Sequence, residues 1–235
     1  MRLFLIANNK NIQNIEKDLK DKIKEDDILV FMNRAIHFNK LKSYKNEKWI
    51  IINDSITSKF CRDIKKNPNI KKMINSPDFK KHIVVNDKNI DLTKNLGSLI
   101  KTHSYGHICS NYSKLRKLYG FKYLHWFYLG YTVAMTFYKQ NYNLVLVGFS
   151  AYESNLIVDV DKIEKLKQGK IGDIIHKNNF HNPKFFNVLI TDFVNRTKSE
   201  YLLCEFDNTF IYDKSLLQKM EDINDCFVYN EIIQK

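Results

Sequence analysis

The stretch "RLFLIANNKNIQNIEKDLKDKIKEDDILVFMN", residues 2–33, decides the fold. "RLFLIA" (2–7) is an apolar run after its first residue, and "DILVFMN" (27–33) is a second. Continuous apolar runs, rather than alternating ones, mark strands covered on both faces. Between them Ile12, Ile15, Leu19 and Ile23 recur at near-helical spacing, which predicts an amphipathic helix over 11–24. Strand, helix, strand predicts two parallel strands of one sheet.

The same signals recur along the chain. "KWIIIN" (48–53), "HIVVN" (82–86) and "NLVLVGF" (143–149) read as further strands, and "YLLCEF" (201–206) as the last clear one. Residues 55–76 read as helical, with Pro68 and Pro77 as breakers. The stretch 87–120 reads as a loop with a short helix around "SNYSKLRKLYG". "LHWFYLGYTVAMTFYKQ" (124–140) is apolar enough to be a buried central helix. Residues 150–182 are polar, with a short helix expected at "VDKIEKLKQ". "PKFFNVLITDFVNRT" (183–197) reads as a helix whose Pro183 falls in the first turn, where a missing N–H costs little. The alternation predicts an α/β, Rossmann-like fold: a mainly parallel sheet with helices on both faces and a small lid region. A single domain is expected over 1–235, with the lid or loop insertion around 150–182.

Bulk properties narrow the chemistry. The 235 residues suit one α/β domain, and 7 glycines and 3 prolines argue against long flexible linkers. The net charge of +12 favours anionic partners or a negatively charged membrane surface, although a lysine-rich solvated surface explains it equally well. No nucleic-acid-binding module is recognisable, so nucleic acid is not an expected partner. Cys61, Cys109, Cys204 and Cys226 are far apart and form no CxxC pair, which points to reduced thiols in a cytoplasm rather than zinc or redox chemistry. The apolar core of "MRLFLIANNK" is too short for a signal peptide. "WFYLGYTVAMTFY", at 13 residues, is well short of the roughly 20 needed to span a bilayer.

Three strand ends carry asparagine: Asn9, Asn33 and Asn53. An amide offers both a donor and an acceptor, which suits nucleobase and ribose edges. Asparagine also favours strand-end turns for purely local reasons. The first loop lacks the glycines of a dinucleotide fingerprint. Tyr152 would follow the central strand at "VLVGFSAYESN" (145–155), where open α/β sheets bind ligands. His176 and His181 lie in "GDIIHKNNFHNPKFF", flanked by Lys177 and Lys184; a histidine of ordinary pKa there could take a proton, or simply precede a helix at the surface. Asp159 and Asp161 in "VDVD" form a weak Asp-x-Asp metal signal that arises often by chance. No P-loop, HExxH, GxSxG or EF-hand pattern occurs.

In this order the residues resemble the small bacterial sialyltransferases of glycosyltransferase family 42. The likeness runs at low identity over nearly the whole chain. The family's "AGNG" turn is similar to "IANNK", keeping Asn9 but replacing both glycines with Asn8 and Lys10. Its "CNQ" and "YNPS" strand ends are similar to "MNR" with Asn33 and "INDS" with Asn53. Its "TSGVYMCAVA" helix resembles "FYLGYTVAMT", matching Gly130. "SGIDFY" resembles "VGFSAY" and puts Tyr152 on a phosphate-contacting tyrosine; "GHSKN" resembles "FHNPK" and puts His181 on the general base. "YCLCPNS" resembles "YLLCEFDNT". Trp126 stands where the family has an arginine, and Val158 where it has a second phosphate-contacting tyrosine.

The resemblance implies an inverting glycosyltransferase that moves an acidic sugar, sialic acid or one like Kdo, from a CMP-activated donor to a glycan or glycolipid acceptor. His181 and Tyr152 would be catalytic, Asn9, Asn33, Asn53 and Gly130 would bind the nucleotide, and no metal or other cofactor would be required. Such work belongs in the cytoplasm or at the inner face of the membrane, and is compatible with peripheral membrane contact and a homo-oligomer. Two alternatives stand beside it: a non-catalytic nucleotide- or glycan-binding Rossmann protein, and a transferase using metal held by Asp159 and Asp161 on a nucleotide-diphosphate sugar.

Overall fold

The computed structural model describes residues 1–7, 9, 12, 14, 16–33, 35, 40–53, 68–86, 104–110, 129–149, 190–191, 193–202, 204 and 227–233. These residues build one sheet of eight strands with helices on both faces. In chain order the strands are β1 (Arg2–Ile6), β2 (Ile28–Met32), β3 (Lys48–Asn53), β4 (Phe79–Asn86), β5 (Ser104–Ser110), β6 (Asn143–Val147), β7 (Glu200–Leu202) and β8 (Phe227–Ile233). The helices are α1 (Glu16–Lys22), α2 (Pro68–Ile74) and α3 (Leu129–Lys139). Residues 190–191 and 193–197 are also helical.

The strand order is β7-β6-β1-β2-β3-β4-β5-β8. All neighbours pair in parallel except β5 and β8, which run antiparallel. From β1 the sheet grows one way through β2 to β5, then reverses and grows the other way through β6 and β7. The turning point lies between β1 and β6, in register from Arg2 opposite Asn143 to Ile6 opposite Val147.

Side-chain alternation divides the core into two layers. Leu3, Leu5, Val30, Ile51 and Leu146 face α3 and the helical residues Ile190 and Phe193. Phe4, Ile6, Phe31, Ile50 and Val147 face Leu19 of α1 and Ile74 of α2. Because both faces are covered, nearly every residue of the central strands is apolar.

In α3 the seven residues Tyr131–Phe137 are all buried, which a helix tolerates only when it is enclosed on most sides. Its end has a local cause. Asn141 adopts φ 63, its N–H donates to Tyr138 O, and the Tyr142 N–H reaches back to Phe137 O. That pattern closes a helix on a left-handed residue, a conformation asparagine accepts. No helix among the described residues is long and apolar enough to cross a membrane.

Several expectations need correction. Pro68 is the first residue of α2, where its missing N–H has no intrahelical partner to lose, and residues 54–67 before it lie outside the described residues. The stretch 87–120 is not only loop and helix, because β5 occupies Ser104–Ser110. The segment 201–206 is not the last strand: β7 covers Glu200–Leu202, and β8 follows it at Phe227–Ile233. The expected lid at 150–182 lies outside the described residues.

Candidate functional site

The strand order reverses between β1 and β6, and in doubly wound sheets the ligand crevice lies outside the carboxyl ends of the strands at such a reversal. There the connections leave the two strands in opposite directions. After β1 the Ala7 N–H still donates to Val147 O at 2.9 Å. The chain then turns tightly: the Asn9 N–H donates to Ala7 O at 3.0 Å, and Asn9 O accepts from the Ile12 N–H at 3.3 Å. Asn9 is only 2% exposed, and its Nδ2 donates across the crevice to Gly148 O at 3.3 Å.

Gly148 follows β6 with φ +71, the left-handed region that favours glycine. Its N–H donates to Leu202 O of β7 at 2.9 Å. Phe149 comes next, 1% exposed, and packs so close to α3 that a Cβ on Gly130 would lie 2.8 Å from its Cε1.

The strand-end asparagines occupy successive positions along the same edge. Asn33 directly follows β2 at φ 51 and is half-buried; Asn53 is the last residue of β3, opposite Val85 of β4. With neighbouring strands about 4.8 Å apart, the row from Asn9 to Asn53 spans about 10 Å, the length of a nucleoside. The left-handed backbone at Asn33 also gives a local reason for asparagine there. A fourth asparagine, Asn86, ends β4 and continues the row. The strand signal "HIVVN" carries it at its end, by the same local pattern as the other three. Gly130 lies beside the crevice through Phe149, rather than in the row.

His181, Tyr152, His176, Lys177, Lys184, Asp159 and Asp161 lie outside the described residues, as do Asn8, Lys10, Trp126 and Val158. Among the described residues no group of histidine, cysteine or acidic side chains could hold a metal ion.

The described residues of the two edges differ in charge. Among the described residues at and directly after the carboxyl ends of β1 to β6 there is no carboxylate, histidine, lysine or arginine. The amino-terminal edge carries two ion pairs, each with one buried member, Asp27 or Lys48. Asp27, 1% exposed, accepts from the Arg2 N–H at 2.9 Å, from Arg2 Nη2 at 2.8 Å and from the Lys24 N–H at 2.9 Å. Lys48, also 1% exposed, donates to Tyr44 O, to Asn46 O at 3.1 Å and to Asp78 at 3.2 Å. Burial pushes the Lys48 ammonium below its ordinary value, and Asp78 opposes that. These ions join the starts of β1 to β4 and stand at the opposite end from the crevice.

The strand order, the reversal between β1 and β6, and the open carboxyl edge together define a doubly wound α/β protein of the Rossmann-like class. No protein-family model matches the chain, and neither a curated protein nor a solved structure is found similar to it.

Proposed function

We propose that this chain binds a nucleotide, free or sugar-activated, in the crevice at the carboxyl ends of β1 and β6. One observation carries the reading: the sheet reverses direction between these strands, with Asn33, Asn53 and Asn86 at the ends of the strands running away from the gap. Amide edges read bases and riboses by hydrogen bonding. The excess of 38 basic over 26 acidic residues raises the potential for an anionic ligand. Binding without chemistry needs nothing beyond this edge.

The second reading adds transfer of an acidic sugar from a CMP-activated donor, and is favoured by the resemblance of "VGFSAY" and "FHNPK" to the family motifs. In it His181 deprotonates the acceptor hydroxyl, while the Tyr152 hydroxyl donates to the departing phosphate as its charge grows.

A thermal-shift panel of CMP, CDP, UDP and GDP tests the first reading. Stabilisation by at least one nucleotide is expected, and CMP should act most strongly if the second reading holds. No response to any of the four contradicts both. For the second reading, His181→Ala should lower kcat about 10²–10⁴-fold and leave CMP affinity nearly unchanged. Transfer at the wild-type rate would remove His181 from the chemistry, and complete, reversible loss in EDTA would favour Asp159 and Asp161 holding a metal.

A further inference from the structure

We propose that Asn9 is a positioning residue that clamps the two lips of the β1/β6 crevice together, and that Gly148 is the counterpart the clamp requires. The proposal deepens the nucleotide-binding reading and rests on it for its ligand; the clamp itself is built without one. Asn9 Nδ2 donates to Gly148 O at 3.3 Å, joining segments 139 residues apart in sequence. At 2% exposure the bond is shielded from water, and a buried amide is expensive to leave unmatched.

Gly148 is shaped for this contact. At φ +71 a residue with a side chain is strained. An ideal Cβ there would also lie 2.9 Å from Asn9 Cβ and 2.9 Å from Ile12 Cδ1. The missing side chain leaves the volume that the β1 lip fills. The remaining backbone groups tie each lip to the sheet: the Gly148 N–H donates to Leu202 O at 2.9 Å, and the Ala7 N–H to Val147 O at 2.9 Å. Neither lip can move away from the other without breaking a buried hydrogen bond. The relative position of the lips is therefore set before a ligand arrives, and a ligand seated against their outer ends loses little affinity to ordering them. Asn9 acts on the ligand through Gly148.

The test uses the full chain, with hydrogen exchange in the absence of ligand and calorimetric affinity for CMP. Asn9→Asp is nearly isosteric but cannot donate; Gly148→Ala restores the forbidden Cβ. Asn9→Asp should speed exchange at the Ala7 and Gly148 amides together, by about tenfold or more, and leave the Asp27 amide unchanged. Each single variant should weaken CMP by about tenfold, and the double variant by little more, because either change opens the same clamp. Unchanged exchange with multiplying affinity losses near 100-fold would mean that Asn9 touches the nucleotide itself, and would overturn the clamp. If Gly148→Ala does not fold, Asn9→Asp and Asn9→Ser decide. Acceleration on both lips supports the proposal, and acceleration on one lip or neither defeats it. A wild-type chain that does not bind CMP contradicts nucleotide binding there, while the paired exchange response still decides the clamp.

Discussion

His82 lies 2% exposed in β4, between Ile50 of β3 and Tyr105 of β5. Burial pushes its imidazole down to about 3. In the unfolded chain a histidine titrates near 6.5. Between those values the unfolded chain binds a proton that the native chain does not, so stability falls as pH drops from about 6.5 towards 3. The slope is at most about 1.4 kcal/mol per pH unit. His82→Gln removes this source, so urea midpoints at pH 7 and pH 5 should lie closer together in the variant than in the wild type. Equal separation in both would exclude His82. Asp27 is displaced by opposing forces. Burial pushes its carboxyl up, but hydrogen bonds from the Arg2 side chain and from the Lys24 and Arg2 N–H groups outweigh that and hold it below the usual range. Its stabilisation is present above about pH 4 and is lost as pH falls through the lowered value. Asp27→Asn leaves the Arg2 guanidinium with only the exposed Glu200, at 3.5 Å, as counter-charge and should cost about 2 kcal/mol at pH 7. A change under about 0.5 kcal/mol, the range of an ordinary surface substitution, would contradict this account of the amino-terminal edge. Neither role was readable from sequence, because both depend on partners brought together from distant positions. The places of Asn9, Asn33 and Asn53 were readable, because a strand end is a local signal.

The contact between α3 and the segment after β6 depends on Gly130. An ideal Cβ there would lie 2.8 Å from Cε1 of Phe149, a ring that is 1% exposed and has little room to retreat. Gly130→Ala should therefore cost about 1–3 kcal/mol despite its better helix propensity. Phe149→Leu shortens the obstructing side chain. In the Gly130→Ala background it should recover part of the loss, giving a coupling of at least about 0.5 kcal/mol in a double-mutant cycle. Strict additivity would show that the two residues do not collide. The central elements were readable because their cause is local: β1, β2, β3 and β6 are buried on both faces, so their sequences are nearly unbroken apolar runs. The rim was harder. "SYGHICS" and "FVYNEII", which form β5 and β8, mix polar and apolar residues, and the antiparallel pairing that joins them is tertiary. Proline stops one helix and starts another with equal ease, so its place at the start of α2 is not a local signal.

The molecule has two unlike ends. Ion pairs built on the buried Asp27 and Lys48 hold the strand starts, with Arg2 and Asp78 as their partners, while asparagines stand at the described ends of β2, β3 and β4. The alternation of strands and helices made the doubly wound class readable in advance. The order of the strands was not, because nothing local in "NLVLVGF" states that β6 pairs with β1 rather than with β5. That pairing creates the crevice, so the class of fold could be anticipated but the position of its opening could not be derived from periodicity alone. The claim that a nucleotide occupies this opening is tested most directly by hydrogen exchange across the full chain with and without saturating CMP. The account predicts slowed exchange at Ala7, Asn9, Gly148 and Phe149, with Asp27 and Lys48 at the opposite edge unchanged. Protection at the amino-terminal edge instead, or no change at either, would contradict it.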